Sequence, residues 1–143
     1  MSRELIFLPV LAQVALTLAV YVVLIQSKKR AIRAGECDQA RRPLYDDAFP
    51  EYVLKINNNL RNQFELPVLF YVLCFALWAL DAVSMPALAV ASLFVASRLV
   101  HAYFHIGANV VAHRRRAFTV GWWLTVALLV LVLWALADSA DLF

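Results

Sequence analysis

The sequence predicts an all-α protein, an integral-membrane bundle of four helices. Two observations carry that prediction. The 143-residue chain is 64% hydrophobic and only 16% charged, well outside the balance of a soluble domain. Its charges gather at the ends of long apolar runs instead of spreading over a solvated face, which is how membrane proteins place them. The net charge of +3 therefore points to membrane topology and not to nucleic acid, for which a basic surface interleaved with aromatics is expected. No internal repeat or separate soluble domain is visible, so residues 1–143 read as one domain with helices over about 5–26, 51–80, 86–112 and 117–137.

The first helix contains Leu5 to Ile25, 21 residues without a charge, enough to cross a hydrocarbon core of about 30 Å. Lys28, Lys29, Arg30, Arg33, Arg41 and Arg42 follow it. The second helix starts near Pro50 with a polar half, Lys55 to Glu65, and continues through the apolar stretch Leu66 to Leu80. That apolar stretch spans only about 22 Å, so the polar half must enter the membrane or lie against protein. Pro67 is expected to kink this helix. The segment Asp81 to Met85 is a turn, and Pro86 suits the first position of the third helix. His113, Arg114, Arg115 and Arg116 close the third helix with positive charge, and the fourth runs from about Phe118 to Ala137. Trp122, Trp123 and Trp134 are expected near the membrane interfaces. Basic loops alternate with acidic or neutral ones, so the positive-inside rule places both termini outside and both basic loops in the cytoplasm.

Ionisable groups at membrane depth are costly and face protein or a wet cavity. On the third helix Arg98, His101, His105 and Asn109 follow one another at spacings of 3, 4 and 4, which puts them on one face. On the second helix Asn58, Arg61, Asn62 and Glu65 form a second polar face. Glu65 and Arg98 lie roughly 22 Å and 18 Å from the outer ends of their helices by the standard rise. They are expected to pair, directly or through water, and Arg61 can reach Glu65 one turn away. Such a network serves helix register or a binding site. No metal site is expected: the i,i+4 pair His101 and His105 lacks the acidic residue of a HExxH motif, and Cys37 and Cys74 lack a ligand spacing.

The segment Asn59-Leu60-Arg61-Asn62-Gln63-Phe64-Glu65-Leu66-Pro67-Val68-Leu69-Phe70-Tyr71 closely resembles helix two of bacterial MAPEG proteins, the membrane-associated proteins in eicosanoid and glutathione metabolism. Ser97-Arg98-Leu99-Val100-His101 and the basic cluster before the fourth helix fit the same pattern. The resemblance implies a four-helix protomer in a homotrimer in the bacterial inner membrane, with sites at subunit interfaces open to the cytoplasmic side. It further implies a glutathione-dependent transferase or peroxidase acting on a lipophilic small molecule that enters from membrane lipid. Carried over by motif, Arg61, Asn62, Glu65 and Arg98 are glutathione-site residues, with Asn58, His101 and His105 on the same faces. Arg114 falls near the arginine assigned to the thiolate, with Arg98 as a second polarising cation. The chain departs from the family pattern in three places. His101 and His105 stand where tyrosines usually face glutathione, the tyrosine early in the fourth helix is replaced near Phe118, and a basic residue of helix two appears as Asn57 or Asn58, with Lys55 nearby. A second reading therefore stays open: a non-catalytic membrane subunit that binds a lipid or quinone, or packs against a larger membrane complex.

Overall fold

The structure, a computed structural model, describes residues 2–140. After a short 3-10 turn, Arg3–Ile6, the chain forms α1 (Phe7–Arg33), a second 3-10 turn (Asp46–Ala48), α2 (Glu51–Asn62), α3 (Leu66–Ala79), α4 (Met85–Ile106) and α5 (Val111–Ser139). Four segments are long and apolar enough to span a bilayer, Arg3–Arg33, Glu51–Ala79, Met85–Ile106 and Val111–Ser139, with mean hydropathies of 2.4, 1.3, 1.6 and 2.3. The chain is thus an integral, multi-pass membrane protein. α5 packs mainly on α4 and α3, while α1 lies against α2 and α4.

Two local departures from the expected helices shape the site. The second span is two helices with a break at Gln63–Glu65, not one kinked helix. Pro67 is the cause. It sits in the first turn of α3, has no N–H to give to the Gln63 carbonyl, and its ring would strike that carbonyl in a continuous helix. The chain closes α2 with tighter bonds from Gln63 N to Leu60 O and from Phe64 N to Arg61 O, both 3.0 Å. The third span ends at Ile106, six residues before its expected end at 112, and α5 starts at Val111. Gly107 makes that turn because a Cβ there would lie 2.9 Å from the Tyr103 carbonyl. Asn109 then takes a left-handed conformation, φ 52°, which asparagine tolerates better than most residues. The basic cluster His113 to Arg116 therefore lies in the first turns of α5 and not in a connecting loop. Trp122 and Trp123 lie about 17 Å along that helix from its start by the standard rise.

Two apolar cores hold the bundle. In one, Phe70 of α3 stacks on Phe94 of α4 with centroids 4.3 Å apart, between Cys74, Leu77, Ala87, Ala91 and Leu128. In the other, Val20 and Leu24 of α1 meet Val53, Ile56 and Leu60 of α2. The outer faces remain apolar, with Leu11, Val72, Leu93 and Trp134 each more than half exposed. Water would penalise such faces; acyl chains or a second subunit would not.

Candidate functional site

Arg98, His101 and His105 share one face of α4 and are 0%, 3% and 4% exposed. The break after Asn62 leaves the C-terminal carbonyls of α2 without intrahelical donors, and Arg98 Nη2 donates to one of them, Asn62 O, at 3.3 Å. The guanidinium also lies 5.9 Å from the Phe118 ring centroid. Its Nε and Nη1, and Nε2 of His101, are buried with no partner.

The early start of α5 brings basic groups to this face. Together with α2 and α4 it walls a cleft of about 370 Å³ lined by Asn58, Asn62, His101, His105, Val111, Arg114, Arg115 and Phe118. Arg114 is held by donation from Nη1 to Asn109 Oδ1 at 2.9 Å. Its backbone carbonyl accepts from His101 Nδ1 at 3.1 Å, so neutral His101 keeps its lone pair on Nε2. Asn59 sets His105 the other way, donating from Nδ2 to its Nδ1 at 3.3 Å and leaving the proton on Nε2. The two imidazoles, 5.4 Å apart and edge to face, thus present one acceptor and one donor.

Asn59 belongs to a buried relay of amides. Gln13 Nε2 donates to Gln63 Oε1 at 2.8 Å, and Gln63 Nε2 donates to Asn59 Oδ1 at 3.2 Å. The chain Gln13–Gln63–Asn59–His105 joins α1, the helix break, α2 and α4. Gln13, Asn59 and Gln63 are not among the residues that the sequence places in the site. A lone amide such as Gln13 within an apolar run was the available signal.

Of the residues expected in the site, Asn58, Asn62, His101, His105 and Arg114 line the cleft and Arg98 lies against Asn62 and Phe118. Arg61 and Glu65 are not among the lining residues. Arg61 pairs with Asp46, which also accepts from Asn57 Nδ2 at 2.9 Å. Glu65, at the break, is exposed. Glu65 and Arg98, expected to pair directly or through water, form no direct ion pair, and neither do Arg61 and Glu65, because the break takes Glu65 off the face that a continuous helix would share with Arg61. Asn109 leaves the α4 stripe for the turn, where it fixes Arg114. Among the described residues no group of His, Cys, Asp or Glu is arranged to hold a metal ion.

Four residues on in each segment, Asn62 gives way to Leu66 and Phe118 to Trp122. There a second, apolar groove of about 260 Å³ lies between α3 and α5, lined by Leu66, Leu69, Val72, Leu73, Trp122, Thr125, Val126 and Leu129. A polar basic cleft and an apolar groove thus follow one another along α5 and along the second span, the cleft beside α2 and the groove beside α3.

Residues 5–134 match the model of a family described as the MAPEG family. No curated protein and no solved structure matches the chain.

Proposed function

The chain belongs to the MAPEG family, and we propose that it is a membrane-embedded glutathione-dependent transferase or peroxidase acting on a lipophilic electrophile or hydroperoxide. The observation that carries this reading is the succession of the basic cleft and the apolar groove. A charged tripeptide and a lipophilic acceptor need two such environments side by side.

The donor set suits the tripeptide. Its two carboxylates call for guanidinium and amide donors, and Arg114, Arg115, Asn58 and Asn62 line the cleft. His105 adds an N–H donor, and the unpartnered N–H groups of Arg98 are satisfied by an anion or water. The cleft volume is at the lower end of the range for small-molecule sites. When bound, glutathione supplies a thiolate that displaces a leaving group from carbon or reduces a hydroperoxide. Arg114 holds a positive charge at the cleft wall, which favours thiolate over thiol. Asn109 fixes that charge in place, and Leu69, Val72 and Trp122 keep water from the acceptor. The same buried network would also fit a non-catalytic scaffold for a lipid or quinone, since Gln13, Gln63 and Asn59 fix helix register whether or not chemistry follows.

The test is ultraviolet thiolate absorbance of glutathione added to the purified protein in mild detergent. Saturable binding with a thiolate signal supports the enzyme reading. Arg114→Ala should cut the thiolate fraction roughly tenfold, the effect of about one pKa unit from one neighbouring cation. An assembled protein that gives no signal and no binding overturns it in favour of the scaffold.

A further inference from the structure

α1 continues as a helix for eight residues beyond Ile25, and this extension is strongly basic. Lys28, Lys29, Arg30 and Arg33 form no ion pair with any described residue, whereas Arg3, Arg41, Lys55 and Arg61 all do. Lys28 lies 5.0 Å from the Phe49 ring centroid and Arg30 5.8 Å from that of Tyr52. Those contacts orient the cations without neutralising them. Gln26, Lys29, Arg30 and Arg33 are spaced 3, 1 and 3 apart, so they share a face, and with Ala34 they line a hollow of about 430 Å³.

We propose that this hollow binds the phosphate of an anionic phospholipid. Lipid is favoured over a free phosphate by what lies beside the hollow. Leu18, Val22 and Ile25 are each more than half exposed, and at steps of 4, 3, 4 and 4 they lead along one stripe of α1 into Lys29 and Arg33. Acyl chains lie along the apolar part of that stripe while the headgroup meets its basic end. The negative end of the α1 dipole opposes an anion there, but it amounts to about half a charge against the three full cations Lys29, Arg30 and Arg33 that line the hollow. Each basic residue near an anionic headgroup contributes about 1 kcal/mol, lost when salt screens it.

The experiment measures binding of phosphatidylglycerol, phosphatidylcholine and glycerol phosphate to the purified oligomer in mild detergent, by native mass spectrometry and by thermal shift across a salt series. Phosphatidylglycerol should bind tighter than phosphatidylcholine, and the difference should vanish at high salt. The pair Lys29→Gln with Arg33→Gln should weaken phosphatidylglycerol roughly thirtyfold, the factor for two such contacts. The pair Arg115→Gln with Arg116→Gln, on α5, should leave it unchanged. Equal binding of the two lipids, or a salt-insensitive preference, overturns the proposal even if the α1 variant fails to assemble. So does weakening by the α5 pair in place of the α1 pair. Glycerol phosphate bound as tightly as the lipid, with the same dependence on Lys29 and Arg33, replaces the lipid by a soluble phosphate.

Discussion

Arg98 is fully buried, and among the described residues a 3.3 Å bond to the Asn62 carbonyl is the only hydrogen bond of its side chain. A charge so placed gains little for the fold, because desolvation outweighs one hydrogen bond. Arg98→Met, which keeps the stem and removes the charge, should therefore leave the melting temperature unchanged or raise it, by up to about 1–4 kcal/mol of stability. It should abolish glutathione binding if the guanidinium serves an anion; a large thermal loss with binding retained would make Arg98 a cap for α2 alone. The amide relay behaves oppositely. Gln63→Leu strands the partners on both sides, and thermal unfolding should show a loss of about 1–3 kcal/mol. A double-mutant cycle with Gln13→Leu should show the two losses coupled, since both remove the same bond. Arg98, His101 and His105 were legible in the sequence because ionisable groups recur at helical spacing within an apolar run. Asn59 and Gln63 were not, because their roles depend on where α2 stops. A helix continued through Gln63 would carry Glu65 on the face of Arg61 and suggest ion pairs that the break prevents.

At the scale of elements, the cleft exists because two spans end early. Pro67 stops α2 and frees the Asn62 carbonyl, while Gly107 and Asn109 stop α4 and let α5 begin soon enough to bring Arg114 over His101. The number and order of the spans follow from apolar run length, which any four crossings must satisfy. Their ends depend on single residues whose effect is steric. Pro67 announced a kink, but Gly107 gave no comparable signal beside the charges of His113 to Arg116, which suggested a connection and in fact lie within a helix. Close approach of α5 to α4 depends on Gly121, where a Cβ would stand 3.0 Å from Ser97 Oγ, 3.5 Å from Leu66 and 3.8 Å from Arg98. Gly121→Leu should push these helices apart and cost about 1–3 kcal/mol by overpacking, read as a lower unfolding temperature in detergent. Gly121→Ala should cost less, because the Ser97 hydroxyl can turn away.

For the whole molecule, the alternation of basic and neutral connections predicts an orientation. With Cys37 and Cys74 buried and free, membrane-impermeant thiol labelling should reach Leu44→Cys from the cytoplasmic side and Ser139→Cys from the opposite side. The reverse pattern would invert the proposed topology and move the cleft to the other face of the membrane. The broad apolar faces also suit assembly of copies, and the homotrimer implied by the family resemblance predicts three protomers per particle once bound detergent is subtracted. The claim on which the rest depends is that the cleft between α2, α4 and α5 binds glutathione. Titration calorimetry of glutathione into the purified protein in mild detergent is the direct test. Saturable binding is expected, and His105→Leu should weaken it by at least tenfold, in keeping with the loss of a buried donor to a charged ligand. A folded protein that takes up no glutathione, or binds it equally well without His105 and Arg114, would overturn that claim.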